Sequence, residues 1–429
     1  MKKMLTVEPK GSFNIDFKDI ASDKSISHRC AIFSLLSDNS SKIKNFLEAE
    51  DTLCTLNIVK SLGAKVEKKG GEYIISPPSK ICEPPIILNC GNSGTAIRLL
   101  MGFLSGIDGF FVLHGDKYLA SRPMKRVAKP LREIGAKIDG RSDGEYAPLS
   151  VRGGRIKAFN FKSKIASAQV KSALILAGLK SDGKCSISEP TLSRDHSEKM
   201  LKEMGLEIES SGTTVSFFPP KSPLKPLDIT VPNDPSSGFF FAVAAAITPN
   251  SKVVLKNMLL NKTRIEAYKV LSKMGARVEF IEKESKYDRV GDIVVEYAKL
   301  NGVEVSTNIA WLIDELPALS IAFACADGKS IVKNAKELRV KESDRIRSMV
   351  LNLRKCGIKV KEFEDGYEVC AGELKGSSVD SFGDHRIAMS FAIAGLRSKM
   401  QIEDIECINT SFPNFLKLLS MIAEVDSAN

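Results

Sequence analysis

One phrase recurs along the chain: a helix end, a glycine and a short alternating strand. It reads SLGAKVE from Ser61, EIGAKID from Glu133, EMGLEIE from Glu203, KMGARVEF from Lys273 and KCGIKVKE from Lys355. The glycines are Gly63, Gly135, Gly205, Gly275 and Gly357, so the gaps are 72, 70, 70 and 82 residues. A glycine just past a helix takes the left-handed conformation cheaply, and the alternation behind it predicts a strand. A second phrase interleaves, running from a polar or Gly-rich start into a nearly all-apolar helix. Its copies are KSISHRCAIFSLL, GNSGTAIRLLMGFL, ASAQVKSALILAGL, DPSSGFFFAVAAAI, DELPALSIAFACA and GDHRIAMSFAIAGL. The chain is therefore six α+β units, the last with a degenerate second helix around FPNFLKLLSMIAEV. A helix that is apolar all round must be buried on all sides. Each unit is expected to put that helix inside, with sheet and a second, amphipathic helix outside. Six units are too many for one core of usual size, which predicts two domains of three units each. The break is expected in residues 231–238, VPNDPSSG, where Pro and Ser cluster.

Composition narrows the class. The 429 residues are 43% hydrophobic and 27% charged, which excludes a disordered chain, a collagen and a small disulfide scaffold. Lys and Arg number 62 against 52 Asp and Glu, so the net charge of 62 − 52 = +10 favours anionic partners. The basic residues form no long run and aromatics are only 7%, which argues against a nucleic-acid stacking surface. Nine cysteines without a C-x-x-C pair read as reduced thiols in a cytoplasmic protein, most of them in the core. Four histidines and no Cys/His cluster predict no metal site. The N-terminal segment shows no apolar h-region of a signal peptide. The longest apolar stretch, residues 310–326, is broken by Asp314, Glu315 and Pro317, so no membrane span is expected.

The starts of the apolar helices are where chemistry is expected. A helix N-terminus offers unpaired N–H groups and about half a positive charge, so converging starts form an anion site. Ser236 and Ser237 read as ordinary N-caps. Caps do not explain Lys24, Arg29, Arg98, Arg345 and Arg386 at such starts. A charge beside a buried helix needs a partner, either an anionic ligand or internal carboxylates.

At this point the motifs resemble those of the 5-enolpyruvylshikimate-3-phosphate (EPSP) synthase family. They are DKSISHR from Asp23, LNCGNSGTAIRLL from Leu88, SRPMKR from Ser121, SAQVKSALILAG from Ser167, EPTLSRDH from Glu189, IDELPALS from Ile313, ELRVKESDRI from Glu337 and FGDHRIAM from Phe382. Eight motifs in order over nearly the whole chain are specific where one alone would not be. The resemblance implies an α/β fold of two inside-out α/β barrels, each of three βαβαββ units with buried parallel helices. It places residues 1–17 with 236–429 in one domain and 18–235 in the other, with the active site in the cleft between them. It implies transfer of the enolpyruvyl group of phosphoenolpyruvate to the 5-hydroxyl of shikimate 3-phosphate by a monomer without metal or organic cofactor. Both substrates are small anions, and glyphosate is the expected inhibitor.

The resemblance also assigns roles. Asp314, Glu342 and Lys24 are the expected acid/base groups. Lys24, Ser25, Arg29, Ser167, Gln169, Arg194, Asp314 and Lys341 match contacts to shikimate 3-phosphate. Lys24, Gly94, Thr95, Arg122, Gln169, Arg345 and Arg386 match contacts to phosphoenolpyruvate. Asn92, Ser193 and His385 are weaker candidates, and His385 reads equally as a group orienting Arg386. Gly94 matches the position where a larger residue excludes glyphosate, so sensitivity is expected. Arg98 reads as structural. For Asp314 the competing reading is an N-cap, and for Glu342 an i,i+3 ion pair with Arg345. Two positions depart from the family: Thr410 where some members carry a Lys, and Glu337 in place of an Asn. The nearest rival, the UDP-N-acetylglucosamine enolpyruvyl transferases, usually carries a Cys in the loop matching residues 114–123. This chain has none there, although Asp116 could imitate a rarer Asp variant.

Overall fold

The computed structural model describes residues 3–428. Twelve helices longer than one turn alternate in two kinds among the described residues. They are α1 (Lys24–Phe33), α2 (Glu50–Ser61), α3 (Gly94–Ser105), α4 (Lys125–Glu133), α5 (Ala168–Gly178), α6 (His196–Glu203), α7 (Pro235–Ile247), α8 (Glu266–Lys273), α9 (Leu316–Ala324), α10 (Arg345–Lys355), α11 (His385–Ala394) and α12 (Phe415–Leu419). The odd-numbered helices carry the apolar phrase and are buried almost throughout; every residue of α7 and α9 is buried. Burial of Phe239, Phe240 and Phe241 in α7 contributes about 2–3 kcal/mol each. The even-numbered helices bury one face. Gly63, Gly135, Gly205, Gly275 and Gly357 all have φ between 80° and 117°, as a left-handed C′ residue requires. The last repeat ends its second helix at Leu419, earlier than expected, because Ala423–Ala428 pairs as a strand.

Among the described residues six four-stranded sheets share one plan. In the second repeat Leu88–Asn89 runs parallel to Phe110–His114. That strand takes Tyr146–Arg152 antiparallel on its other side, and Lys137–Gly140 closes the hairpin. With α3 and α4 interleaved, the order is βαβαββ. The first and fourth repeats borrow their leading strands from far along the chain. Asp228–Thr230 pairs with Ser41–Lys44, and Asn14–Phe17 pairs with Lys252–Leu259. The sixth repeat is completed by Met4–Pro9, which lies between Met400–Glu403 and Ala423–Ala428. The fold is α/β, with inside-out barrels built of three such repeats around buried helices.

By its internal contacts the chain forms two units, Met1–Ala21 with Pro232–Asn429 and Ser22–Val231. The breaks stand a few residues from the expected 17/18 and 235/236. Among the described residues no helix is long and apolar enough to cross a membrane.

Candidate active site

In the unit Ser22–Val231, α1, α3 and α5 begin close together. Each is capped by a side chain: Asp23 Oδ1 accepts the Ile26 N–H at 2.8 Å, Ser93 Oγ the Ala96 N–H at 3.1 Å, and Ser167 Oγ the Val170 N–H at 3.5 Å. Gly102 allows α3 to lie against α5, since a Cβ there would stand 2.1 Å from the Ala173 carbonyl oxygen. The groups at these starts form one chain of contacts. Lys24 Nζ pairs with Asp51, whose Oδ1 accepts the Asn92 N–H at 3.1 Å. Arg122 donates to the Asn92 side-chain oxygen. Gln169 accepts from Arg98 Nη1 at 2.6 Å and donates to Thr95 Oγ1 at 3.1 Å, and Arg98 Nη2 donates to the Pro123 carbonyl at 3.0 Å. Gly94 fits beneath both guanidinium groups; a Cβ would be 2.9 Å from Arg98 Nη1 and 3.1 Å from Arg122 Nη1. Lys24, Asn92, Gly94, Thr95, Arg122 and Gln169 are thus brought together. Arg98, read from sequence as structural, sits among them.

Burial pushes the Asp51 carboxyl above its usual range, and the Lys24 ammonium works against that rise. Asp51 was not singled out from the sequence, because an acidic residue in the first turn of an outer helix looks like ordinary dipole compensation. His28 was overlooked too. Its Nδ1 lies 2.8 Å from Thr55 Oγ1 and its Nε2 lies 2.9 Å from Ser93 Oγ. Burial first, and then Lys24 and Arg29, hold its pKa well below the usual histidine range. A neutral imidazole thus ties α1 to α2 and to the cap of α3.

Arg29 extends from α1 toward α5 and α6. Its Nε donates to Ser197 Oγ at 2.8 Å, its Nη2 to Ser172 Oγ at 3.0 Å and its Nη1 to the Ser25 carbonyl at 3.0 Å. Ser193 is buried, and its hydroxyl donates to Glu189 Oε2 at 2.9 Å. Arg194, the next residue, is half-buried. Asp116 is engaged in its own turn, where Oδ1 accepts the Leu119 N–H at 2.7 Å.

The other unit gathers α7, α9 and α11 in the same manner, with carboxylates prominent. Asp384 caps α11 by accepting the Arg386 N–H at 2.9 Å, and it also takes Arg345 Nε at 2.8 Å. Arg345 is 1% exposed and fully spanned: Nη2 meets Glu342 Oε2 at 2.6 Å, and Nη1 meets Asp314 Oδ1 at 3.1 Å and the Ile313 carbonyl at 3.3 Å. Desolvation opposes its charge, but Asp384, Glu342 and Asp314 prevail and hold its pKa above the ordinary arginine value. Arg386 is 12% exposed; its Nε lies 3.3 Å from Asp314 Oδ1 and its Nη1 donates to the Asp314 carbonyl at 3.1 Å. Two arginines thus fix the Asp314 carboxylate. Lys341 Nζ lies 3.7 Å from Glu337 Oε2, so the Glu at 337 supplies a counter-charge to that lysine. His385 Nδ1 is 3.5 Å from Thr410 Oγ1, whose hydroxyl donates to the Cys407 carbonyl at 2.7 Å.

Two local expectations are corrected, and one competing reading is set aside. Arg345 opens the outer helix α10, not a buried one. Asp314 precedes the N-cap of α9, which is Glu315, so it is no cap. Ser236 is not the cap of α7 either: Asp234 is, and the Ser236 hydroxyl joins Glu315 and Arg264. Pro235 at the first helical position displaces the cap to the residue before it. The ion pair between Glu342 and Arg345 is present as the alternative reading had it. All nine cysteines are free; burial raises the thiols of Cys325 and Cys356 to about 11, which leaves them inert near neutral pH.

A family model described as EPSP synthase (3-phosphoshikimate 1-carboxyvinyltransferase) matches residues 18–419. A 3-phosphoshikimate 1-carboxyvinyltransferase of a Nitratiruptor species is 64% identical over 425 residues, covering 98% of each chain. That of Campylobacter curvus is 60% identical over 422 residues, covering 98% of this chain and 99% of its own. The solved EPSP synthase of Acinetobacter baumannii superposes with a TM-score of 0.87 at 37% identity, covering both chains completely.

Proposed function

Because the chain belongs to the EPSP synthase family, we propose that the groups at its helix starts carry out the family's reaction on two small anions, phosphoenolpyruvate and shikimate 3-phosphate. The enzyme is a 3-phosphoshikimate 1-carboxyvinyltransferase of aromatic amino acid biosynthesis. The observation that supports the site assignment is the convergence of Lys24, Asn92, Gly94, Arg122 and Gln169 at three helix starts of one unit. Cationic side chains, an approachable glycine backbone and helix dipoles together suit phosphate and carboxylate oxygens.

The reaction is an addition followed by an elimination. The 5-hydroxyl oxygen of the acceptor attacks C2 of phosphoenolpyruvate while C3 takes up a proton, giving a tetrahedral ketal. C3 then returns a proton, the C2–O bond to phosphate breaks, and its electron pair leaves with the phosphate as the C2=C3 bond re-forms. Asp314 is the base for the hydroxyl. Arg345 and Arg386 both reach its carboxylate and fix its orientation. Glu342 handles the C3 proton, oriented by Arg345. Lys24, Gly94, Thr95, Arg122, Gln169, Arg345 and Arg386 serve phosphoenolpyruvate. Lys24, Ser25, Arg29, Ser167, Gln169, Arg194, Asp314 and Lys341 serve the acceptor. Each set draws residues from both units, and we assign them to the same pair of substrates. No cofactor is required. Nine free thiols fit a reducing cytoplasm, and glyphosate is expected to inhibit.

Phosphate release tests the assignment, with phosphoenolpyruvate plus shikimate 3-phosphate and, in parallel, plus UDP-N-acetylglucosamine. Release with the first acceptor alone is expected. Release only with the sugar nucleotide would overturn the acceptor. Asp314→Asn should then lower kcat about a hundredfold or more, since a positioned base contributes on the order of 10²–10⁴; near-normal turnover would remove Asp314 from that role.

A further inference from the structure

Behind the start of α5 a lysine is buried between two glutamates. Lys171 Nζ lies 2.9 Å from Glu189 Oε2 and 2.7 Å from Glu198 Oε1, and all three side chains are withdrawn from solvent. Taking three charges out of water is costly, and their mutual attraction often fails to return a net gain in stability. A buried ionic cluster therefore invites the question of what geometry it fixes.

The answer lies in the second set of contacts made by Glu189. Its Oε1 accepts the Ser167 N–H at 3.1 Å, and its Oε2 accepts the Ser193 hydroxyl at 2.9 Å and the Ser193 N–H at 3.3 Å. Ser167, Ser193 and Lys171 all approach this carboxylate as donors, so its two oxygens gather three residues. Ser167 opens α5, and Ser193 immediately precedes Arg194. Glu189 thus ties a helix start and a loop to one buried cation. The same lysine is adjacent in sequence to Ser172, and Glu198 to Ser197, the two hydroxyls that receive Arg29.

We infer that Lys171 and Glu189 are a positioning pair that presents Ser167 and Arg194 to the phosphate of the acceptor, so that they set selectivity for the phosphorylated substrate. This rests on the assignment of Ser167 and Arg194 to shikimate 3-phosphate. Neither member of the pair touches substrate. Glu198 shares the ammonium but accepts from neither Ser167 nor Ser193, which makes it the internal control.

The test is steady-state kinetics on the full-length enzyme with thermal melts alongside. Glu189→Gln replaces one acceptor oxygen with an amide that faces donors. Glu189→Asp keeps the charge on Lys171 but draws both oxygens back by one methylene, so it guards against a variant that does not fold. In both, KM for shikimate 3-phosphate should rise about tenfold while kcat and KM for phosphoenolpyruvate stay within about twofold, the signature of lost uniform binding. The preference for shikimate 3-phosphate over unphosphorylated shikimate should shrink by the same factor. Glu198→Gln should lower the melting temperature without that split. Equal effects of the Glu189 and Glu198 variants on KM would overturn the inference and leave the cluster purely structural. Arg194→Ala separates the two levels. If it raises KM for shikimate 3-phosphate and the Glu189 variants do not, the positioning pair is wrong. If it leaves KM unchanged, the phosphate assignment itself falls, and the pair with it.

Discussion

At the residue scale Gly94 has little room to change. A methyl group there would meet two guanidinium ends, each already held in place. Arg98 is anchored on Gln169 and the Pro123 carbonyl, and Arg122 on Asn92. Either fork must shift by a few tenths of an ångström, and any anion seated between them shifts too. Gly94→Ala should fold normally, since its φ is not in the left-handed region. Glyphosate inhibition should weaken about tenfold or more, the worth of one misplaced methyl in a close-fitting site, with a smaller rise in KM for phosphoenolpyruvate. Unchanged glyphosate inhibition, measured by phosphate release at fixed phosphoenolpyruvate, would remove Gly94 from the anion site. The sequence showed Gly94 through its motif, but not why Arg98 matters. Arg98 lies one turn into an apolar helix, and its reach to Gln169 on another helix has no local sign. Asp51 was hidden for the same reason, because its partner Lys24 belongs to a different helix.

At the scale of elements the repeat was legible because each copy carries its own punctuation. Five C′ glycines and six apolar helices follow from local rules that hold whatever the rest of the chain does. Misreadings arose where a terminus is set by its neighbours. Ser236 looked like a cap but serves Glu315 and Arg264, because Pro235 moves the cap to Asp234. His28 shows what such cross-links do for the elements. Its two ring nitrogens meet α2 and the cap of α3, and burial beside Lys24 and Arg29 favours the neutral ring in the folded state. The sign follows from linkage. The unfolded chain protonates this histidine below about pH 6.5 while the folded chain resists, so this part of the stability is lost as pH falls. Between pH 7.5 and 5.5 the loss specific to His28 should approach about 1.4 kcal/mol. Urea denaturation of the wild type and His28→Gln at both pH values isolates it as a double difference. A wild type no more acid-sensitive than the variant would contradict a neutral buried ring.

At the scale of the whole molecule the decisive pairings join residues hundreds of positions apart. Met4–Pro9 is the shared neighbour of Met400–Glu403 and Ala423–Ala428, and Asn14–Phe17 leads the sheet of Lys252–Leu259. Alternation along Met4–Pro9 signals a strand, but a six-residue strand carries no address. Only the resemblance to a known family assigned the first residues to the far end of the chain. Leu5 and Val7 are fully buried, and Val7 packs so closely on the end of α11 that a Cβ at Gly395 would stand 2.6 Å from it. Losing two such side chains costs on the order of 2–5 kcal/mol each, comparable with the whole stability of a domain. Deleting residues 1–9 should therefore leave the strands Met400–Glu403 and Ala423–Ala428 without a common partner. Amide exchange in those two strands should accelerate by orders of magnitude. The sheet of Ser41–Lys44 and Glu72–Ser76 draws its long-range strand from Asp228–Thr230 instead, and its amides should keep their protection. Equal acceleration in both sheets would mean that the two units unfold as one. Retained protection in Met400–Glu403 would mean that the first strand adds little. The expected split follows from connectivity: the N-terminal strand completes a sheet of the unit that holds Pro232–Asn429, whereas the unit Ser22–Val231 takes Asp228–Thr230 from within itself, so damage to the N-terminus is felt in the unit it completes.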